Sequence, residues 1–226
     1  MRSNMMLLMA AAIWWLGFVA QRLGMDHMGP FTFNGLRFLL GAASLLPLLW
    51  WLKSRQPRPQ AGSPAGDRRL LLVGGLIAGG VLFSAASLPQ VGLLYTTAAK
   101  AGFITGLYII LVPVIGLALR HKTGANTWIG ALIAMAGLYY LSVTEEFTIG
   151  YGDLLQVIGA LFWAIHLLVL DHYSNRVAPI RLAGVQFVVC GLLSLGTAFV
   201  IETPTLGGAV AGWQALLYAG LVSVGI

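Results

Sequence analysis

Eight stretches without a charged residue follow one another along the chain, and they constrain the fold more than any other feature. They cover 3–21, 38–52, 70–99, 101–119, 123–144, 154–170, 182–201 and 203–226. About 20 apolar residues are enough for a helix to cross the hydrocarbon core of a bilayer. Because the stretches are continuously apolar and do not alternate, they predict helices and not barrel strands. We therefore predict an all-α, polytopic transmembrane helix bundle.

The composition supports a membrane protein. The 226 residues are 58% hydrophobic and only 9% charged, whereas a soluble domain needs about 25% charged residues. We expect spans at about 4–22, 31–52, 70–88, 97–119, 125–144, 153–172 and 181–201, with a last one from about 212. The first run is longer than a signal-peptide core and is predicted to remain as a helix. The single cysteine, Cys190, excludes an internal disulfide.

The net charge of +6 is explained by the positions of the basic residues. A cytoplasmic N-terminus places ten of the 13 basic residues on the inner side: Arg2, Lys53, Arg55, Arg58, Arg68, Arg69, Arg120, Lys122, Arg176 and Arg181. The outer side receives Arg22 with Asp26, Glu145, Glu146, Asp153 and Glu202. This asymmetry follows the positive-inside rule. We therefore expect membrane lipids, and not nucleic acid, to be the partner of this basic chain.

The chain contains an internal repeat. A shift of 149 residues superposes Ala11, Trp14, Pro30, Gly35 and Phe38 on Ala160, Trp163, Pro179, Gly184 and Phe187. A second block, LLVGGLIAGG at 71–80, matches LLYAGLVSVG at 216–225. We predict a first repeat of five helices at 1–149 and a partial second repeat at 150–226, with two helices and the start of a third. Five spans per unit invert the second copy, an arrangement typical of secondary transporters.

Five segments resemble the EamA family of the drug/metabolite transporter superfamily. They are IWWLGFVAQR, GPFTFNGLRFLLGA, YTTAAKAGFITGLYIILVPVIGLAL, NTWIGALIAMAGL and GDLLQVIGALFWAIH. The chain departs from the family at Trp15, where glycine is common, and in the loop RHKTG, where an acidic residue is common. The resemblance implies ten spans in two inverted repeats, of which about seven and a half are present here, with the closing helices missing.

The resemblance also implies a function and a location. It implies a multi-pass carrier in a bacterial-type inner membrane that moves small metabolites or drug-like solutes through a cavity between the repeats. We expect a secondary transporter that works by alternating access and has no cofactor. Export of amino acids or related amphipathic metabolites is one specific hypothesis.

Two polar stripes are candidates for lining this cavity, because residues three and four apart share a helix face. The second span carries Asn34, Arg37, Gly41 and Ser44, and the seventh carries Gln186, Cys190, Ser194 and Thr197. Polar groups are costly in hydrocarbon, so we expect both stripes to face the bundle interior. They either line the cavity or only join helices by hydrogen bonds.

Two tryptophans are equivalent in the repeat. Trp14 and Trp163 each lie eleven residues from the start of a span, near the midplane. As a pair they would sandwich an amphipathic solute. The alternative is that they pack in the core or face lipid.

Three ionisable residues on membrane spans have two explanations each. Arg37 either binds an anionic group or donates to backbone carbonyls. Lys100 either extends to the outer headgroups or attracts a carboxylate or phosphate at a helix end. His166 either relays protons or forms a neutral hydrogen bond with a neighbour. Ser84, Thr105 and Tyr108 are further lining candidates.

Other classes of function fit the sequence less well. A membrane-embedded enzyme needs a clustered site, but the four histidines are scattered and no HExxH, GxSxG or GxxxxGK[ST] motif occurs. We therefore expect no catalytic residue and no metal. A non-transporting subunit needs a large soluble surface, and the only long loop is 53–69. A four-helix multidrug carrier would need an acidic residue in the first span, which contains none, and it would have fewer spans than this chain.

Overall fold

A computed structural model describes residues 2–55, 68–118, 124–142 and 150–225, and every regular element in those ranges is helical. The helices are α1 (Arg2–Met25), α2 (Pro30–Arg55), α3 (Arg68–Gly92), α4 (Ala98–Gly106), α5 (Tyr108–Ala118), α6 (Ala125–Ser142), α7 (Tyr151–Ser174), α8 (Pro179–Ile201), α9 (Leu206–Ala211) and α10 (Trp213–Leu217), followed by a π-helical segment, Tyr218–Val224. Most of the predicted loop 53–69, the residues RHKT at 120–123, and Glu145 and Glu146 lie outside the described residues.

The predicted all-α transmembrane bundle is confirmed. Among the described residues, five helical segments are long and apolar enough to cross a membrane: Pro30–Leu52, Arg68–Gly92, Ala98–Ala118, Tyr151–Ser174 and Pro179–Ile201. Two shorter apolar segments are Ala125–Gly137 and Trp213–Val224. The protein is therefore a multi-pass membrane protein.

Two predicted spans differ in detail from the structure. The fourth is interrupted at Leu107, where i→i+3 hydrogen bonds replace the α-helical pattern. Pro113, where the sequence predicts a kink, lies inside α5. The third span continues past its predicted end at 88, since α3 extends to Gly92. Pro89 lies inside this helix and packs against Gly159 of α7.

The direction of neighbouring helices follows from close backbone contacts. Leu195 packs against Gly35 of α2, while Gly191 lies against Leu39, so α2 and α8 are antiparallel. On the other side of α8, Gly75 and Gly79 of α3 lie against residues 185–189 in the same order, so α3 and α8 are parallel. A Cβ atom at Gly79 would lie 2.6 Å from Cβ of Val189. Small residues four apart in the sequence predict close helix approach, and Gly75 and Gly79 confirm this prediction for α3 and α8.

The same prediction was wrong for Gly102 of α4. In the described part of the chain nothing lies within 4 Å of the position that its Cβ would take. The small residue there does not serve a close helix contact.

A hydrophobic cluster lies where α2, α3 and α8 meet. Its buried members are Phe38, Leu82, Ala86 and Cys190, and Phe83, Trp163, Phe187 and Val224 pack against it. Antiparallel packing gathers the helix termini at two opposite ends. We call the end with residues 22–32, 92–100, 150–156 and 202–214 the Glu202 end, and the end near Ser174 the Ser174 end. The hydrophobic cluster separates the two.

Candidate functional site

Polar side chains are buried in the interior of this apolar bundle. Those on the four central helices are Thr32, Asn34 and Arg37 of α2, Ser87 and Gln90 of α3, Asp153, Gln156 and His166 of α7, and Gln186 and Ser194 of α8. Thr105 of α4 is buried beside them. A buried polar group costs free energy unless it finds a partner. The partners of each group therefore separate structural residues from candidates for binding a solute.

Gln156 joins three helices. Its amide nitrogen donates to the carbonyl oxygen of Pro89 at 2.9 Å, and the Thr105 hydroxyl donates to its amide oxygen at 3.1 Å. The Pro89 carbonyl oxygen also accepts the backbone N–H of Leu93 at 2.9 Å, so Gln156 uses the second lone pair of a carbonyl that is already paired within α3 and its extension. Thr105, predicted to line the cavity, thus has a structural partner in this conformation.

His166 and Gln186, predicted as separate lining residues, contact each other. Nε2 of His166 lies 2.8 Å from Oε1 of Gln186 and joins α7 to α8. Nδ1 has no hydrogen-bond partner among the described residues. The Trp163 ring meets the imidazole edge to face, with centroids 5.7 Å apart. This contact agrees with the neutral, hydrogen-bonded alternative for His166.

The two equivalent tryptophans have different surroundings. Trp163 packs against the hydrophobic cluster, whereas the side chain of Trp14 on α1 is 56% exposed. Among the described residues, no ring contact joins the two. The structure therefore does not bring them together as a sandwich.

Lys100 has an acidic partner. Its Nζ lies 2.6 Å from Oδ2 of Asp153, across the contact between α4 and α7. Oδ1 of Asp153 accepts a hydrogen bond from the Thr96 hydroxyl at 2.7 Å, and Oδ2 accepts the backbone N–H of Gly150 at 2.8 Å. The ammonium group is thus neutralised within the protein, which differs from both sequence-based explanations.

Arg22 is also engaged at the Glu202 end, where its guanidinium donates to the carbonyl oxygen of Leu93. Arg37 differs from Arg22 and Lys100, because its buried Nε has no hydrogen-bond partner among the described residues. It is 6% exposed, and its Cζ lies 4.9 Å from the Phe38 ring centroid and 5.9 Å from that of Phe33. The aromatic faces stabilise the cation.

Glu202 has a role that sequence reasoning missed. Its carboxylate accepts the backbone N–H groups of Phe31 at 2.8 Å and Thr32 at 2.9 Å, and the Thr32 hydroxyl at 2.6 Å. The first N–H groups of a helix have no partner within the helix, and its N-terminus attracts negative charge. A residue 170 positions away thus caps α2. The one signal in the sequence is that α2 begins at Pro30 and has no acidic residue in its own first turn.

Two further predicted lining residues are half-buried. The Ser84 hydroxyl donates to the carbonyl oxygen of Gly80 in its own helix at 3.4 Å. Tyr108 begins α5, directly after the interruption at Leu107. Neither joins the buried group on α2, α3, α7 and α8.

Sequence comparison decides the family. The EamA-like transporter family matches residues 1–143 and 150–226. This chain belongs to the EamA-like transporter family. Curated relatives of the EamA-like chain include an uncharacterized transporter of Archaeoglobus fulgidus, 32% identical over 90% of the chain, and the uncharacterized transporter YetK of Bacillus subtilis, 28% identical over 90%. The chain spans 59% of the archaeal relative and 62% of the Bacillus one.

The fold of the EamA-like chain is also similar to a solved crystal structure. The TM-score is 0.63 at 20% sequence identity, over 96% of this chain and 75% of the other. At this identity the likeness concerns the fold alone. In the described part of the chain, no group of three or more His, Cys, Asp or Glu residues is placed to hold a metal ion.

Proposed function

We propose that the EamA-like chain carries a small solute across the membrane as a secondary transporter, by alternating access. The observation behind this proposal is the group of buried polar side chains on α2, α3, α7 and α8, several of which have no protein partner among the described residues. Unsatisfied polar groups inside a membrane bundle are costly and mark solute pathways. They lie between helices that belong to the two predicted repeats.

The helix boundaries support an inverted repeat of 1–149 and 150–226. A shift of 149 residues carries α1, Arg2–Met25, onto α7, Tyr151–Ser174, and the start of α2 onto the start of α8. The equivalent helices α2 and α8 pack antiparallel. Opposite directions are what two units of five spans require, and rocking of such units exposes a central site to each side in turn.

Two sets of contacts at the Glu202 end support movement of the two predicted repeats against each other. Asp153 joins α7 to Lys100 of α4, and Glu202 at the end of α8 joins the start of α2. These contacts connect the first predicted repeat to the second. Opening towards this end requires that both sets of contacts break.

The distribution of charge supports a cytoplasmic Ser174 end. The basic residues Arg68, Arg69, Arg176 and Arg181 lie near it, and Asp153 and Glu202 lie at the other. By the positive-inside rule, the N-terminus is cytoplasmic in a bacterial-type inner membrane. Membrane lipids and a small-molecule substrate are the partners. Export of amino acids or related amphipathic metabolites is the hypothesis to test first.

Orientation and transport are tested separately. Leu206→Cys, at an 88% exposed position near the Glu202 end, should react with an impermeant maleimide on intact cells, and Asn175→Cys only after permeabilisation. The reverse pattern would contradict the orientation. For transport, the protein is reconstituted in liposomes, and uptake and counterflow of a labelled solute panel are compared with protein-free liposomes. Absence of flux and exchange for every solute class would contradict the proposed function.

A further inference from the structure

A groove on the side of the bundle lies between α1 and the helices α9 and α10. It is separate from the buried polar side chains of α2, α3, α7 and α8, because none of those side chains lines it. Its volume is about 410 Å³. Its apolar walls carry Leu16, Val19 and Leu23 on one side and Ala211 and Ala215 on the other. We call it the α1–α10 groove.

Contacts bound the α1–α10 groove at both ends. Towards the Glu202 end, the backbone of His27 lies directly against Gly208. At the opposite end, the Tyr218 hydroxyl donates to the carbonyl oxygen of Ile13 at 3.1 Å. Between these contacts the lining includes three small side chains, whose size leaves room between the helices: Ala20, Ala211 and Ala215. The groove is therefore a bounded recess and not a flat surface.

The α1–α10 groove has the length of one membrane leaflet. Its polar mouth is formed by Asp26, His27 and Gln214. Ten residues separate Leu16 from Asp26, and a helix rises about 15 Å over that distance, which is half of a hydrocarbon core about 30 Å thick. Leu16 and Leu23 are 47% and 56% exposed, so the α1 wall is open to the bilayer. A groove of this length fits a single acyl chain between the headgroup and the midplane.

Asp26 brings a negative charge to the mouth of the groove. Its side chain is exposed, and its carboxylate forms no hydrogen bond or ion pair within the part of the chain that the structure describes. Asp153 and Glu202, at the same end of the bundle, already have protein partners. Arg22, one turn before Asp26, donates to the carbonyl oxygen of Leu93 instead. The Asp26 carboxylate is therefore available to a cation from outside the chain.

The other two groups of the mouth are hydrogen-bond donors suited to a phosphate. The Gln214 amide carries two N–H groups, and the His27 imidazole carries at least one. Both side chains are exposed. A phosphatidylethanolamine headgroup joins a primary ammonium, which donates to a carboxylate, to a phosphate, which accepts from an amide. Phosphatidylcholine has no N–H on its quaternary nitrogen, and phosphatidylglycerol has no cation.

We propose that the α1–α10 groove binds a phospholipid with a primary-ammonium headgroup, taken from the leaflet at the Glu202 end. One acyl chain lies along Leu16 and Leu23, the ammonium binds the Asp26 carboxylate, and the Gln214 amide donates to the phosphate. The site goes beyond the proposed transport function and does not depend on which solute is carried. Because α1 belongs to the first predicted repeat and α10 to the second, the bound lipid connects the two.

The test uses the delipidated protein in a mild detergent and three lipids with identical oleoyl chains: phosphatidylethanolamine, phosphatidylcholine and phosphatidylglycerol. Native mass spectrometry counts the lipid molecules retained per protein, and the thermal shift measures the stabilisation. We expect one phosphatidylethanolamine molecule to be retained, with an affinity about tenfold higher than that of the other two lipids. Equal affinities for the three headgroups would overturn the proposal. Retention of no lipid would also overturn it, and would leave the groove to another part of the protein or to a second copy.

Variants locate the bound lipid. Asp26→Asn keeps the size of the side chain but removes its charge, and should abolish the preference for phosphatidylethanolamine over phosphatidylcholine. Asp171→Asn removes an exposed carboxylate near the Ser174 end and is the matched control. Ala211→Leu fills the groove from an exposed wall position and should weaken binding of all three lipids, and Ala215→Leu replaces it if that variant does not fold. An unchanged headgroup preference in Asp26→Asn, or unchanged affinities in the filled groove, would place the lipid elsewhere and overturn the proposal.

Discussion

Lys100 and Asp153 form an ion pair of 2.6 Å between α4 and α7, at the end of the bundle where α3 turns into α4. The Lys100 side chain is 32% exposed, whereas that of Asp153 is 5% exposed. Asp153 also receives the Thr96 hydroxyl and the Gly150 N–H group. A single buried carboxylate therefore fixes the loop before α4, the start of α4 and the start of α7.

Removing either partner of this pair should destabilise the protein. We expect Lys100→Met to lower the free energy of unfolding by about 1–2 kcal/mol, because it leaves the Asp153 carboxylate without its counter-charge, while partial exposure of the lysine limits the effect. A double-mutant cycle with Asp153→Asn, followed by thermal unfolding, should give a coupling energy above about 0.5 kcal/mol. Arg176→Ala is the control for loss of a surface cation. Additive effects of the two variants would show that the pair does not act as a unit.

Glu202 should control the stability of the first turn of α2. In Glu202→Gln the amide keeps an oxygen but loses the charge that favours a helix N-terminus, so we expect a loss of about 1 kcal/mol. Hydrogen exchange should speed up at the amides of Phe31 and Thr32, which donate to this carboxylate in the native protein. Exchange at Leu182, near the start of α8, should not change. Unaltered exchange at Phe31 and Thr32 would contradict the capping role.

Gly79 and Gly80 are adjacent, but replacing each by a larger residue should have different effects on stability. A Cβ at Gly79 would lie 2.6 Å from Val189 Cβ and 2.9 Å from the Gln186 carbonyl oxygen, whereas nothing lies within 4 Å of the corresponding point at Gly80. Overpacking costs about 1–3 kcal/mol, so Gly79→Leu should lower the melting temperature, and Gly80→Leu should be tolerated. Fluorescence-detected size exclusion and thermal unfolding measure both. Equal melting temperatures would contradict the α3–α8 contact.

Cys190 should be unreactive in the native protein. It is 0% exposed and packs with Phe38, Leu82 and Ala86. Thiols react as thiolates, and an apolar surrounding disfavours both the charge and access of the reagent. N-ethylmaleimide should therefore label it only on unfolding, which makes a thiol-reactive dye a direct reporter of thermal unfolding. Leu206→Cys supplies the exposed control. Rapid labelling of Cys190 at low temperature would show that α2, α3 and α8 do not form the described cluster.

Much of the helix pattern could be predicted, because hydropathy alone decides where a chain can be buried in a bilayer. The start of α2 at Pro30 and of α8 at Pro179 coincide with the predicted spans to within two residues. The end of the third span was predicted too early, because α3 continues through Pro89 to Gly92. Pro89 packs against Gly159, and its carbonyl oxygen accepts a hydrogen bond from Gln156 of another helix. Such partners are invisible to local sequence patterns.

The site could be predicted only in part. The i, i+3 and i, i+4 spacing correctly placed Asn34, Arg37, Gln186 and Ser194 on buried faces, because burial of a polar stripe follows from one helix alone. The stripe did not reveal Gln90, which stands beside Pro89 on a different helix. Sequence reasoning also assigned Lys100 to headgroups or to a ligand, although its partner is Asp153, 53 residues further along the chain.

The sequence by itself determined where the long apolar helices lie along the chain, since each is dictated by about 20 consecutive residues. The tertiary structure decided which polar groups are satisfied. It joined Lys100 to Asp153 and Glu202 to the start of α2, and it left the Asn34 and Gln90 amides buried without a partner among the described residues. These relationships depend on which helix faces meet and in which direction the helices run. Close packing at glycine contacts far apart in the chain fixes both.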